Sequence, residues 1–451
     1  MKPNILMIIV DSLRADKFFE KNNSDTPNID SLIKNGTYFS QAISAADATI
    51  LSWSSIFTGK FPFKTGIRSS KFNKLNPSII TLFDILQQKN YAFYGYLPQL
   101  SDTIGLFPNF KNEDCFYDFY LGLSNGIGKK LIAKIEKIEE IEEKPWLFLV
   151  HSMDLHDPIK LDKKFDSERF GSNYYERKLS EIDFWLGKIL KKIDLSNTLV
   201  IIMSDHGNYI KSIKKNDKTI DVYPNHANDV LISKVAQKTP NFLKPTKDRL
   251  FFLREKISDL KKSKLDTDEL LPHEKRALMS GKADSKHYLF DEKIRIPLVL
   301  CGPGIEKNLI ISRQVRTVDL LPTLCNLLKI PTLDDFDGIS MFADITNKID
   351  SYAYIESNPL VLKDSEDVIG IRTADFKYFR DKNNPQNRVH LYDLNDDPFE
   401  DKNLATNNPQ KCNEFEQILK NITKNYENES TNENKLDSQE IENELKKLGY
   451  I

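Results

Sequence analysis

Residues 199–207 read LVIIMSDHG, an apolar run that breaks off at Ser204, Asp205 and His206. A run this short, rich in branched side chains, fits a strand buried on both faces, and its polar tail then stands at the strand's carboxyl end. The form recurs along the chain. Residues 5–10 lead into Asp11, and residues 146–150 lead, through FLVHSMDLHDPI (148–159), to His151, Asp154 and His156. Residues 296–301 make a fourth run of this kind. Between the runs lie helical patterns, as in 175–193, where Leu179, Ile182, Leu186, Ile189 and Ile193 share one face. Strands alternating with helices predict an α/β fold with a mainly parallel central sheet flanked by helices. Ligands gather beyond the carboxyl ends of such strands. Residue types able to hold a metal therefore stand, on three separate segments, where this architecture places its site.

Length and charge narrow the classes. The 451 residues suffice for a sizeable core, and 64 Lys and Arg against 66 Asp and Glu leave a formal charge of -2. No electrostatic footprint for nucleic acid is visible, and none is expected as a partner. Four scattered cysteines without metal or redox spacing are expected as reduced, buried thiols. The apolar run near the N-terminus is too short to span a membrane and lacks a cleavage site, so a cytoplasmic protein without transmembrane segments is expected.

Three regions follow from the pattern. Residues 1–350 read as a catalytic domain, with 208–285 as an insertion too long for an ordinary connection and bearing charged, helix-like stretches. Residues 351–410 change to alternating segments, YAYIES, IGIRTADFKYFR and RVHLYDL, which predict a smaller C-terminal α+β subdomain with antiparallel strands. Residues 411–451 read as a polar linker and a closing amphipathic helix, with Ile441, Leu445 and Leu448 on one face. A homo-oligomer is left open.

The chemistry centres on the stretch AADATILSWSSIFTGKFPFKTGI, residues 45–67. Thr49 precedes a helix expected over 52–57, whose N-terminus offers free N–H groups to an anion. A Thr hydroxyl is a weak nucleophile and needs activation. Asp and His ligands suit one divalent ion, with Mn, Zn, Ca and Fe all compatible, and such an ion activates a hydroxyl and neutralises an ester's oxygens.

The sequence resembles the sulfatase family of the alkaline phosphatase superfamily from Pro3 to about Ala405. The resemblance rests on PNILMIIVDSLRAD, TPNIDSLIKNGTYFSQAIS, TILSWSSIFTGKFPFKTGI, HSMDLHDP, VIIMSDHG, KHYLFDEKIRIPLVLCGPG, VRTVDLLPTLCNLLKIP with DGIS, and RVHLYDLNDDPFEDKNLA, in that order. It implies that Asp11, Asp205 and His206 are metal ligands, and that Thr49 is the nucleophile and also touches the metal. It implies that His156, Lys286 and His287 meet the substrate's charged group or leaving oxygen, His156 or His287 as general acid. Lys60 and Arg14 either bind the anion or hold neighbouring loops.

The departures bear on the substrate. Where the family has a Cys or Ser in C/S-x-P-x-R, this chain has Thr49 to Trp53, lacking both Pro and Arg, so formylglycine is not expected. Ser12 replaces the usual second Asp, and Asp205-His206 stands for the Asp-Asn of arylsulfatases. A Thr ester cannot collapse to an aldehyde, so release needs a second in-line attack. The expectation is a metal-dependent hydrolase of a phosphate or sulfate ester, the phosphoester slightly favoured, with a small molecule or glycan carrying the ester. A soluble phospho-group transferase and a catalytically inactive binding relative are the alternatives.

Overall fold

The computed structural model describes residues 2–19, 23–67, 74–117, 121–141, 145–157, 159–210, 212–215, 218–221, 270–279, 289–331, 335–344, 352–357 and 368–424. In chain order its strands are β1 (Asn4–Val10), β2 (Gly36–Ile43), β3 (Ala92–Pro98), β4 (Phe116–Tyr117), β5 (Trp146–Ser152), β6 (Thr198–Met203), β7 (Ser212–Lys215), β8 (Lys218–Asp221), β9 (Arg295–Cys301), β10 (Leu309–Ile311), β11 (Val315–Arg316), β12 (Ala353–Glu356), β13 (Val368–Arg372), β14 (Phe376–Asp381) and β15 (His390–Asp393). All four apolar runs are strands of one nine-stranded sheet, ordered β10-β2-β9-β6-β1-β5-β3-β4 with β11 also on β2. β1 lies parallel between β5 and β6, while β9 runs antiparallel to β2 and β6.

The residues of β1 show why the sheet is central. Ile5, Met7 and Ile9 pack on one side with Phe57 and Phe83, from the helices Thr49–Thr58 and Leu82–Gln88. Leu6, Ile8 and Val10 pack on the other with Leu131, Ile135, Leu179 and Ile182, from Ile127–Ile141 and Tyr174–Leu190. A strand with both faces covered must be apolar throughout, which is what the runs show.

β12 to β15 form a separate antiparallel sheet in sequence order. Tyr354, Ile371 and Tyr378 pack there with Phe415 and Leu419. Those last two belong to the helix Pro409–Thr423, so residues 411–423, within the segment read as linker, are helical. Phe415 and Leu419, one turn apart, supply its buried face. Residues 425–451, with the helix expected over 441–448, lie outside the described residues. So does most of the 208–285 insertion. Its described parts include the antiparallel pair β7 and β8 and the helix Pro272–Met279, which His273 and Arg276 tie to Asp401 and Glu292. Among the described residues no helix is long and apolar enough to cross a membrane. The four cysteines are free, and Cys115, Cys301 and Cys325 are buried.

Candidate active site

The parallel register of β1, β5 and β6 brings three carboxyl ends level. Ile9 pairs with His151 on one side and with Met203 on the other. Asp11 and Asp205 therefore emerge beside His151, and all three are fully buried. One candidate ligand atom from each lies within 4.8 Å of the others. The turn after β1 is tight, because Ser12 sits at φ 63, in the left-handed region. A non-glycine residue held there costs on the order of 1 kcal/mol, a strain that clusters at functional sites. The Ser12 hydroxyl donates to Asp11 Oδ1 at 2.6 Å, which leaves Oδ2 facing inward.

Thr49 enters from β2. The segment after β2 is held by a bridge between Ala46 and Glu356, with Glu356 N donating to Ala45 O at 2.9 Å. Ser44 and Ser52 both donate to the Asp205 carbonyl, at 2.7 and 2.6 Å. The helix begins at Thr49 rather than at Ser52, because extended Ala48, at φ -150 and ψ 150, already serves as its cap. Thr49 is therefore its first residue, half-buried. Its Oγ1 donates to Asp11 Oδ2 at 3.1 Å and lies 3.3 Å from His206 Nε2.

His206 Nδ1 lies 2.7 Å from the Gly207 carbonyl, which can only accept, so Nδ1 carries a proton and Nε2 is the nitrogen turned toward Thr49. Burial alone lowers the His206 pKa, but Asp205 and Asp11 together raise it. Burial likewise pushes the Asp205 carboxyl up, and His206 with His151 overcomes this and holds it below its ordinary value. His151 Nε2 lies 3.2 Å from Asp205 Oδ2 and 3.6 Å from Asp11 Oδ2. Two buried carboxylates so close together require positive charge. Their oxygens and the imidazole nitrogens are suitable donors for a divalent cation, so the residues present fit the metal that the sequence implied.

Of the residues singled out in the sequence, Asp11, Thr49, Asp205 and His206 come together. Arg14 is engaged elsewhere, in a paired contact of Nε and Nη2 with Asp16 at 2.9 and 2.7 Å. Lys60 Nζ bonds the Asp335 carbonyl at 2.7 Å and its carboxylate at 2.5 Å. His156 lies on the loop after β5, with Nδ1 2.9 Å from the Asp157 carbonyl. Lys286 and His287 lie outside the described residues. His151, which the resemblance did not mark, is central. Its position at the end of the apolar run 146–150 was the available signal. Asp154, on the same loop, is instead paired with buried Lys178 at 3.1 Å.

The sulfatase family matches residues 3–330. The chain belongs to the sulfatase family. A second match, to the N-sulphoglucosamine sulphohydrolase C-terminal region, covers residues 282–431. This sulfatase is 22% identical over 462 residues to arylsulfatase K of Gallus gallus, covering 94% of this chain and 83% of the relative. Among solved structures it is similar in fold to a 2-O GAG sulfatase, with a TM-score of 0.65, 17% identity and coverage of 97% and 95%. It is equally similar to the phosphonate monoester hydrolase of Agrobacterium radiobacter, with a TM-score of 0.65, 14% identity and coverage of 94% and 96%. The mainly parallel sheet with its smaller antiparallel sheet is that of these alkaline phosphatase-like enzymes. Membership makes the chain an ester hydrolase of the sulfatase class.

Proposed function

We propose that this sulfatase hydrolyses an oxoacid ester with unmodified Thr49 as nucleophile, and that the ester is a sulfate carried by a glycan or a small molecule. The observation that carries the reading is the Thr49 hydroxyl, 3.1 Å from Asp11 Oδ2 and 3.3 Å from His206 Nε2 at the start of a buried helix. Support for a sulfate comes from the relatives, an arylsulfatase K and a 2-O GAG sulfatase. Asp11, Asp205, His206 and His151 would hold the divalent ion, which supplies the charge that acidifies a hydroxyl and neutralises ester oxygens.

The chain's own residues then have these tasks. Asp11 Oδ2 orients Thr49 by accepting its hydrogen bond, the hydroxyl acidified by the ion would release its proton to solvent, and the N–H groups opening the helix Thr49–Thr58 are available to the substrate's anionic oxygens. The Thr49 Oγ1–sulfur bond forms as the bond to the leaving oxygen breaks, and His156 or His287 protonates that oxygen. Water, giving a proton to the histidine that protonated the leaving oxygen, then attacks sulfur in a second in-line displacement, and the departing Thr49 oxygen takes up a proton from solvent, which releases the oxoanion and restores the hydroxyl. Lys286 binds the anion. Arg14 and Lys60, through Asp16 and Asp335, hold the surrounding loops.

A phosphoester is the second reading, favoured by Thr49 itself. An unmodified hydroxyl gives an ester that must be displaced, and phosphoryl groups tolerate two successive displacements well. Transfer to an alcohol instead of water is the related outcome. Free thiols at all four cysteines support a reducing, cytoplasmic setting. The test is a panel of sulfate monoesters, phosphate monoesters and phosphodiesters offered to protein loaded with Mn, Zn, Ca or Fe, each with and without added sugar alcohol. Turnover of sulfate esters independent of the alcohol supports the first reading. Turnover confined to phosphoesters replaces it with the second, and no turnover with any metal favours an inactive binding relative.

A further inference from the structure

The metal centre departs from the pattern that the resemblance implied at three positions, and the structure joins them. Ser12 stands where a second carboxylate was expected, and Trp53 where an Arg was expected. His151, unmarked by the resemblance, occupies the space beside them. The Trp53 ring packs against the His151 imidazole in a T-shaped contact, centroids 4.7 Å apart at 88°. The His151 carbonyl accepts from the Tyr117 hydroxyl at 2.6 Å, which fixes the backbone behind the ring. A ring held in this way has little freedom to turn from the carboxylates.

Three donor residues cluster within 4.8 Å of one another, Asp11, Asp205 and His151, and His206 stands at their edge, which gives four donor atoms in all. They are Asp11 Oδ2, Asp205 Oδ2, His151 Nε2 and His206 Nε2. His151 Nε2 lies 3.2 and 3.6 Å from the Asp205 and Asp11 oxygens, and His206 Nε2 lies 3.9 and 4.0 Å from the same pair. Ligands of an ion at zinc-like bond lengths stand roughly 3.4 Å apart, which the His151 spacings bracket and the His206 spacings exceed by about half an ångström, and a catalytic ion keeps a further position open for the reacting oxygen. Each carboxylate also presents a single oxygen. Asp11 Oδ1 accepts from the Ser12 hydroxyl at 2.6 Å, and Asp205 Oδ1 accepts from His206 N at 2.9 Å and from the Ser204 hydroxyl at 3.4 Å. Calcium prefers about six to eight oxygens and often takes a carboxylate in bidentate fashion, and magnesium prefers oxygens in a near-octahedral shell. Mixed imidazole and carboxylate donors suit first-row ions of borderline softness.

We propose that His151 is a metal ligand, standing in for the carboxylate that Ser12 does not supply, and that two imidazoles with two single carboxylate oxygens make the site select a first-row transition ion over calcium or magnesium. The inference rests on the metal-binding part of the proposed function and not on which ester is cleaved. His151 Nδ1 is buried and has no hydrogen-bond partner among the described residues, so among them the Trp53 contact is what positions the ring.

The experiment reads metal content, not turnover. Chelator-stripped full-length protein is dialysed against equimolar zinc, manganese, calcium and magnesium, and its bound metals are then measured by elemental mass spectrometry. Zinc or manganese in the protein supports the proposal. Calcium, magnesium or no bound metal overturns it. In the variant His151→Asn, affinity for zinc is expected to fall by about tenfold or more, with calcium affinity changed less than about threefold. Unchanged zinc affinity in a folded variant overturns the role of His151. Should that variant lack a cooperative melt, pulsed electron paramagnetic resonance of manganese-loaded wild type, labelled with nitrogen-15 histidine, decides. Coupling to two imidazole nitrogens supports the assignment, and coupling to one or none overturns it. A zinc-selective protein with no esterase activity would sink the Thr49 chemistry alone, whereas an active enzyme holding calcium would sink only this proposal.

Discussion

Substituting Gly207→Ala tests whether the loop after β6 sets the geometry of the centre. A Cβ on residue 207 would stand 2.1 Å from the Glu292 carbonyl oxygen, where ordinary contact begins at 3.4 Å. The obstacle is backbone and cannot rotate aside, so one of the two segments must retreat by more than 1 Å. The Glu292 segment is the fixed one. It leads directly into β9, which is hydrogen-bonded to β2 and β6, and Lys293 is anchored by its ion pair with Asp47. The loop must therefore yield, and it gives up the bonds from Gly207 N to Lys293 O at 2.7 Å and from Asn208 N to Glu292 O at 2.9 Å. Two such bonds are worth about 1 kcal/mol each. The Gly207 carbonyl also holds His206 Nδ1, so His206 moves with the loop away from Thr49. A displacement of about 1 Å at a reacting group costs on the order of 10²-fold in rate. The expected outcome is a folded protein destabilised by about 2 kcal/mol, with kcat/KM on the best ester of the panel down by about two orders of magnitude. Urea denaturation and steady-state kinetics measure the two. Activity within about threefold of wild type in a folded variant would refute the reasoning.

Three further outcomes are expected. Lys178→Met removes the cation whose Nζ meets Ser124 Oγ at 2.5 Å, Asp154 at 3.1 Å and Glu181 at 3.1 Å, leaving two buried carboxylates without it. A loss of about 3–5 kcal/mol is expected in chemical denaturation, and a loss under about 1 kcal/mol would contradict it. Burial first, and then Arg388 and Arg276, lowers the His390 pKa to about 4. The folded state thus binds fewer protons than the unfolded chain between about pH 4 and 6.5, so this contribution, up to about 3 kcal/mol, is complete above about pH 6.5 and is lost as pH falls toward 4. His390→Gln should flatten the stability–pH curve in that window, and an unchanged slope would contradict the assignment. Ser12→Ala removes the bond that turns Asp11 Oδ2 inward, so metal affinity measured by calorimetry should fall about tenfold to a hundredfold, and unchanged affinity would contradict that role.

Much of the architecture is legible because a strand covered on both faces admits few sequences. The runs containing Ile8, Phe148, Ile201 and Leu298 declare themselves as strands without long-range information. Asp11 and Asp205 were legible for the same reason, since an abrupt polar residue after such a run has few places to go. The orientation of β9, antiparallel to its neighbours, was not, because a run buried on both faces carries no mark of direction. His151 was legible only as one of three polar residues after its run and received no role, while His156, one turn beyond, sat in the familiar motif. Which of them faces Asp205 depends on the register of β5 against β1, a long-range property. Arg14 and Lys60 illustrate the converse. Whether a cation in a motif binds an anion or holds a loop stays open in the sequence, because its partners, here Asp16 and Asp335, are set by tertiary structure.

The central claim is that the Thr49 oxygen takes the transferred group. The direct measurement is mass spectrometry of the protein quenched during turnover, followed by peptide mapping. The account predicts one sulfuryl or phosphoryl adduct, confined to the peptide containing Thr49, and in Thr49→Ala the absence of both adduct and turnover with metal binding retained. Full turnover by Thr49→Ala, or an adduct on another residue, would contradict it.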